Sequence, residues 1–125
     1  MNKAWFRDWP WETVTAINSG LCKEKNAVHK SSSEGDEAAR KLWEDSRDVK
    51  MSLRQALEIC RRCHKLSPFC FYNGNTFAAI GRTMVQDMLR KLSPVKAHAF
   101  RSIVGHYIAG TAEDEELEKA LDELG

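Results

Sequence analysis

The residues most suited by type and spacing to chemistry lie in one segment near the middle of the chain. Cys60, Cys63 and His64 form a Cys-x-x-Cys-His string, and Cys70 follows a Ser-Pro pair. The string matches the one that attaches c-type haem, with two thioether cysteines and an axial histidine. The same segment also offers a zinc site, in which Cys60, Cys63 and Cys70 supply three thiolates. The fourth zinc ligand would be one of His64, Cys22 and His29.

The surroundings of this segment weaken both cofactor readings. Haem attachment normally needs an exported chain, and the residues from Met1 to Asp8 are interrupted by charge and contain no secretory hydrophobic region. A second cysteine pair, typical of zinc sites, is absent. Cys60 and Cys63 also extend an apolar helical stripe that begins at Leu53. We therefore interpret them as reduced thiols in a helix interface, with no cofactor expected and zinc or haem as alternatives.

Catalytic patterns are missing elsewhere in the sequence. There is no nucleophile elbow, no glycine-rich phosphate loop and no pair of carboxylates at a useful spacing. A thioredoxin-type redox pair would need a strand before the cysteines, and no βαβ pattern precedes them. His98 and His106 are eight residues apart, so they do not form an i, i+4 metal pair. The sequence favours a protein that acts by binding rather than by catalysis.

The charges are distributed unevenly, although the chain as a whole carries only +1. From Lys50 to His106, ten Lys and Arg residues face two acids, which gives +8. From Ala112 to Gly125, seven acids face one Lys, which gives −6. A basic middle indicates a surface for a polyanion, and nucleic acid is the first candidate partner. The candidate phosphate-binding residues are Arg54, Arg61, Arg62, Lys65, Arg82, Arg90, Lys91, Lys96 and Arg101.

Two other interpretations of the charge pattern remain open. In one of them the acidic segment neutralises the basic surface by docking on it, and a protein partner becomes the better hypothesis. Alternatively, exposed aromatic side chains between the basic helices would add base stacking to phosphate contacts. The aromatic candidates for stacking are Phe69, Phe71 and Tyr72.

Composition predicts an ordinary soluble domain. The chain has 125 residues, of which 42% are hydrophobic and 30% are charged, so it can bury a core without disulfides. No apolar run reaches membrane-spanning length, and we expect no membrane contact. The thiols and the absence of an export signal predict a cytoplasmic location. Four aromatic residues near the start of the chain are expected to anchor it on the core.

Apolar periodicity predicts an all-α, compact single-domain bundle of five or six helices over residues 1–125. The first helix would run from Trp11 to about Asn18, followed by a loop over residues 20–33. Ser33 would cap a second helix, with Ala38 and Leu42 on its inner face, that ends near Asp48.

Four further helices complete the predicted bundle. Ser52 would cap the third helix, which contains the Cys-x-x-Cys-His string. A helix from about Asn75 to Leu92 is favoured over an Asn-Gly hairpin, with Gly81 as a weak point or a close contact. Ser93 opens the next helix, which Gly110 ends. An acidic C-terminal helix over residues 112–125 would be capped by Thr111 and Asp114.

Overall fold

A computed structural model describes residues 2–32 and 34–124. Over these residues the chain forms seven α-helices and no extended strand. The predicted all-α class is confirmed, whereas the number of helices is higher than predicted. None of the described helices combines the length and the apolar character needed to cross a membrane. The helices are α1 (Trp11–Glu24), α2 (Gly35–Asp45), α3 (Leu53–Leu66), α4 (Asn73–Met84), α5 (Gln86–Leu89), α6 (Pro94–Ala109) and α7 (Asp114–Leu124).

Helix α1 is longer than predicted, so the loop begins at Lys25 rather than at Gly20. Gly20 is exposed and has no atom within 4 Å of an added Cβ, so it neither caps the helix nor contacts a neighbour. The inward face instead continues through Asn18 to Cys22, both of which are buried. Asn26, with φ 57°, takes the left-handed conformation after the helix end.

Helix α2 shows its inner face one residue later than predicted. Ala39 and Trp43 are fully buried, whereas Ala38 is exposed. The large Trp43 ring gains more from burial than its neighbours and sets the rotation of the helix. The predicted cap, Ser33, lies outside the described residues. The Gly35 N–H donates to Ser32 Oγ at 3.1 Å, and the helix ends at Asp45 rather than near Asp48.

Helix α3 follows the prediction. The Ser52 side chain accepts from the Gln55 N–H, and Gln55 Oε1 accepts from the Ser52 N–H at 2.9 Å, which completes a capping box. The predicted stripe is buried as far as Cys63, whereas its last member, His64, is only partly buried. The buried members are Leu53, Ala56, Leu57, Cys60 and Cys63.

The predicted helix over residues 75–92 is split, and this break raises the helix count. Helix α4 begins two residues early, because the Asn73 side chain bonds both the N–H and the carbonyl of Phe69, at 3.0 and 2.8 Å. Tyr72, with φ 60°, turns the chain into the helix. At Val85 the backbone leaves helical geometry, with φ −94° and ψ 1°, and α5 begins at the next residue. The Val85 side chain is fully buried in the core.

Helices α6 and α7 differ in how well their ends were predicted. Ser93 Oγ accepts from the Lys96 N–H, and Gly110, with φ 86°, ends α6, as predicted. The predicted cap of α7 is wrong, because the Thr111 hydroxyl donates to the His106 carbonyl instead. The acidic helix begins at Asp114 and buries Leu117 against the bundle.

An aromatic cluster forms the centre of the core. Trp43 lies 4.5 Å from Phe6, measured between ring centroids, and 5.8 Å from Phe77. Trp11 stacks on Phe69 at 5.9 Å. The start of the chain is therefore anchored on α2 through aromatic packing, as the sequence predicted.

The two strongest packing contacts position the elements discussed below. Helix α4 packs most extensively on α6, with Gly74 at the start of α4 near Ala109 and Gly81 against Ile108. Helix α3 packs on both of them, and α7 packs on α6.

Candidate functional site

The Cys-x-x-Cys-His string lies on the inner face of α3 and in its last turn. Cys60 and Cys63 are fully buried, whereas Cys70 lies beyond the helix and is exposed. His64 Nδ1 is 2.9 Å from the Ile108 carbonyl oxygen, and because a carbonyl only accepts, Nδ1 carries the proton. The structure thus places His64 as a tie between α3 and α6.

Burial makes both buried thiols of the string poor nucleophiles and poor ligands. It raises the pKa of Cys63 to about 12. It also raises the pKa of Cys60 well above its usual range, and the neighbouring Cys63 raises it further. Because of these raised pKa values, both sulfurs stay protonated near neutral pH. The thiolate, not the thiol, is the form that attacks an electrophile or binds a metal. Cys63 Sγ instead lies 3.8 Å from the Ala39 carbonyl oxygen on α2.

The string fits neither haem nor zinc. Thioether bonds would have to form at two sulfurs that have no exposed surface. Within residues 2–32 and 34–124, no three His, Cys, Asp or Glu side chains are placed to share a metal ion. The structure therefore does not gather the four candidate ligands Cys60, Cys63, Cys70 and His64 into one site.

The two remaining candidate zinc ligands belong to a buried polar network that the sequence did not indicate. Asn18 Oδ1 is 2.8 Å from His29 Nδ1 and 3.6 Å from Cys22 Sγ. Asn18 Nδ2 donates to the Phe71 carbonyl at 2.7 Å and to Thr76 Oγ1 at 3.1 Å. The network ties α1 to α4 and to the loop after α1. The signal in the sequence that could have indicated this network is Asn18 itself, a polar residue on the inner face of α1.

Two of the nine candidate phosphate-binding residues hold α7 instead. Arg54 Nε is 2.9 Å from Glu118 Oε1, and its Nη1 is 3.6 Å from Glu58 Oε2. Arg61 Nη1 donates to the Ala112 carbonyl at 2.7 Å, and its guanidinium lies 4.7 Å from the centroid of the Tyr107 ring. The acidic segment does dock on this part of the basic surface, which was one of the two interpretations of the charge pattern.

Three further candidates lie on α3 and α6, and none of them lines the cavity shared by Arg82 and Arg101. Arg62 and Lys65 are exposed on α3, near its C-terminal end. Lys96 lines a groove of about 520 Å³ between α6 and α7, and the acids Glu116 and Glu123 line the same groove.

Of the last four candidates, two share one cleft and two follow directly after α5. Arg82 from α4 and Arg101 from α6 both line a cavity of about 320 Å³ between α4, α5 and α6. We call this cavity the arginine cleft. Arg90 and Lys91 follow directly after α5 and are exposed. Arg90 Nη1 lies 3.1 Å from Asp87 Oδ1, an exposed pair that holds the guanidinium weakly. The other residues lining the cleft are Ala79, Thr83, Gln86 and Leu89.

The two arginines that line the cleft have no compensating charge. Within the part of the chain that the structure describes, neither Arg82 nor Arg101 forms an ion pair. Arg82 Nε is buried and has no hydrogen-bond partner there. Arg101 and Gly105 are one turn apart on α6, and Gly105 lies against the Arg82 guanidinium. Gly105 leaves room for the Arg82 guanidinium on the surface of α6, and Arg101 lies one turn away on the same helix. Both guanidinium groups therefore reach the same cleft.

The aromatic residues proposed for base stacking are not part of this cleft. Phe69 is 1% exposed and belongs to the core. Phe71 is half exposed, and it lies with Tyr72 before the start of α4, whereas Arg82 is near the end of that helix. The structure therefore separates the exposed aromatic side chains from the two arginines.

No known protein family, curated protein or solved structure matches the chain.

Proposed function

We propose that the protein is a nucleic-acid-binding module that contacts the phosphate backbone through the arginine cleft. One observation carries the proposal: Arg82 and Arg101, from helices that are distant in sequence, face one cleft without acidic partners among the described residues. Guanidinium groups bind phosphate oxygens through two parallel hydrogen bonds, which makes arginine well suited to this contact. Arg90 and Lys91 extend the positive charge beyond the cleft.

The chemistry of the cleft favours contact with the backbone over reading of bases. The Thr83 hydroxyl already donates to the Ala79 carbonyl at 2.9 Å, within its own helix. Gln86 is the one side-chain amide on the cleft wall. A site whose charged groups are both arginines neutralises phosphates and distinguishes sequences poorly. We therefore expect similar affinity for unrelated sequences of the same length and strandedness.

Salt dependence gives the proposal a quantitative form. For duplex DNA the logarithm of the association constant falls with the logarithm of salt concentration, with a slope of about −0.9 per neutralised phosphate. Contacts by Arg82, Arg101, Arg90 and Lys91 would give a slope of about −3.6 on that scale. The slope of the salt dependence gives the number of neutralised phosphates. It therefore tests how many basic residues contact nucleic acid as well as whether they do.

The test is fluorescence anisotropy with labelled RNA and DNA oligonucleotides over a salt series. The variant Arg82→Gln/Arg101→Gln removes both cleft cations, and Arg62→Gln/Lys65→Gln removes the same charge from α3 as a matched control. We expect the cleft variant to lose affinity and to flatten the slope by about 2, while the control stays close to the original protein. Equal losses in both variants, or no binding at low salt by the folded protein, would contradict the proposal and leave a protein partner as the better hypothesis.

A further inference from the structure

The absence of a side chain at position 105 leaves the space that the Arg82 guanidinium occupies. A Cβ added to Gly105 would overlap the Arg82 guanidinium, at 2.7 Å from Cζ and 2.8 Å from Nε. No other residue type could occupy this position of α6 while Arg82 keeps its present orientation. Glycine in a helix interior lowers helix stability relative to alanine, so the close contact comes at a local cost.

The guanidinium gains no protein acceptor from this placement. Among the described residues, no hydrogen bond from Arg82 is formed, and its Nε is buried. A buried donor without an acceptor is unfavourable, and a buried polar group left unpaired in this way often marks a site where a water or an ion binds. Arg101 adds a second positive charge to the same cleft, which raises the local attraction for an anion.

We infer that the arginine cleft is a seat for a single phosphate group, bound between the guanidinium groups of Arg82 and Arg101, with Gly105 as the residue that positions Arg82. The inference rests on the proposed function, in which that phosphate belongs to a nucleic-acid backbone. The cleft volume of about 320 Å³ accommodates a phosphate together with several waters. Asp87, the acid of α5, pairs with Arg90.

Two substitutions distinguish phosphate binding at a defined site from nonspecific attraction to positive charge. Gly105→Ala keeps every charge and raises helix propensity, but its methyl group displaces the Arg82 guanidinium. Arg82→Lys keeps the charge and removes the planar pair of donors. Arg62→Lys is the matched control, because it makes the same chemical change at an exposed site on α3. Circular dichroism and a thermal melt establish that each variant is folded.

The probe is inorganic phosphate, followed by ¹H–¹⁵N NMR at the arginine Nε–H and backbone amide signals, with chloride at equal ionic strength as reference. We expect saturable shifts at Arg82, Arg101 and Gly105 in the original protein and in Arg62→Lys. Gly105→Ala and Arg82→Lys should each weaken phosphate binding by about tenfold or more, as the loss of a charge-assisted hydrogen bond does. Shifts that never saturate, or that match those caused by chloride, would overturn the seat.

The same variants in the oligonucleotide assay separate this inference from the proposed function. If the original protein binds nucleic acid and Gly105→Ala binds it equally well, the seat is wrong and the proposed function stands. If phosphate saturates the cleft but no oligonucleotide binds at low salt, the seat stands and the proposed function is wrong. Loss of both phosphate and oligonucleotide binding in Gly105→Ala, with all charges present, supports both.

Discussion

Arg54 on α3 and Glu118 on α7 form an ion pair across 64 residues of sequence, with 2.9 Å between Nε and Oε1. Arg61 also donates a hydrogen bond to the Ala112 carbonyl. Some of the basic residues therefore bind the acidic C-terminal segment of the same molecule. The pair is partly exposed, so it fixes the placement of α7 more than it contributes to stability. The basic residues left for a partner are those that α7 does not hold.

Neutralising the first acids of α7 should strengthen nucleic-acid binding. The variant converts Glu113, Glu115 and Glu116 to Gln and Asp114 to Asn. All four are exposed, and Leu117 and the Arg54–Glu118 pair still hold the helix. Removing four negative charges lowers the repulsion of phosphates, at a cost of about 0.3–1 kcal/mol for each acid near the positive end of the helix. Anisotropy titration at low salt measures the gain, and a thermal melt measures the cost.

The control for this prediction removes the same charge from α1 and from the start of α2. Its four exposed acids are Glu12, Glu24, Glu34 and Glu37. We expect a smaller gain in affinity than with the α7 variant. Equal gains would mean that net charge alone governs binding, and the position of α7 would then be irrelevant to it.

Replacing Cys60 by Ser should destabilise the protein by about 1–3 kcal/mol, because a hydroxyl would be buried without a good partner. Cys70→Ser is the control, since Cys70 is exposed and its change should stay within about 0.5 kcal/mol. Urea unfolding followed by fluorescence gives both values. A thiol reagent should modify Cys70 in the folded protein and reach Cys60 and Cys63 only on unfolding. Rapid modification of all four cysteines, or stoichiometric zinc in the purified protein, would contradict the buried, metal-free thiols.

Stability should fall as the pH rises from about 10 to about 12, because of Tyr107. Burial, together with the hydrogen bond to Asp114 and its negative charge, raises the pKa of Tyr107 from 10.0 to about 12. The folded state therefore favours the neutral phenol. Its contribution is complete below pH 10 and is lost as the pH passes through about 12. In a Tyr72→Phe background, phenolate absorbance follows Tyr107 alone, and the midpoint should lie near the raised value.

A second variant tests the cause of the Tyr107 shift. Tyr107→Phe should remove the loss of stability that Tyr107 causes over this pH range, as measured by urea unfolding at several pH values. A phenolate midpoint near 10 in the folded Tyr72→Phe protein would show that Tyr107 is accessible to solvent, contrary to its 1% exposure.

Two glycines in helices should respond oppositely to alanine. At Gly81 an added Cβ would overlap Ile108 Cδ1 and lie 3.5 Å from Leu57 Cδ2, so overpacking should cost about 1–3 kcal/mol. At Gly20 an added Cβ meets nothing within 4 Å, so Gly20→Ala should stabilise α1 by about 0.5–1 kcal/mol. Thermal or urea unfolding of the two variants compares them directly. A stable Gly81→Ala protein would show that α4 and α6 can separate at little cost.

Much of the fold was predictable because its determinants are local. The capping box of Ser52 and Gln55 involves residues three apart, and Pro94 and Gly110 set the ends of α6 through their own backbone preferences. The errors arose where packing outweighed local signals. Gly20 lies inside α1 because the helix face continues to Cys22, and the predicted helix over residues 75–92 is interrupted at Val85, whose side chain is buried.

The candidate site was only partly predictable. The sequence supplied nine basic residues, and the structure assigned Arg54 and Arg61 to α7 while it brought Arg82 and Arg101 to one cleft. Gly105 carried no signal in the sequence, because its role depends on a side chain from another helix. The Cys-x-x-Cys-His string carried a strong signal for chemistry, yet its thiols serve the core.

The sequence by itself determined the helical class, the start of α3, both ends of α6 and the buried stripe of α3, because these follow from the 3.6-residue period and from contacts within a turn. Only the tertiary structure decided which cations are paired, which face a common cleft and which cysteines are exposed. Those properties depend on the angles and distances at which helices pack. Packing geometry is set by the combined shape of many side chains that are distant in sequence, so no short pattern encodes it.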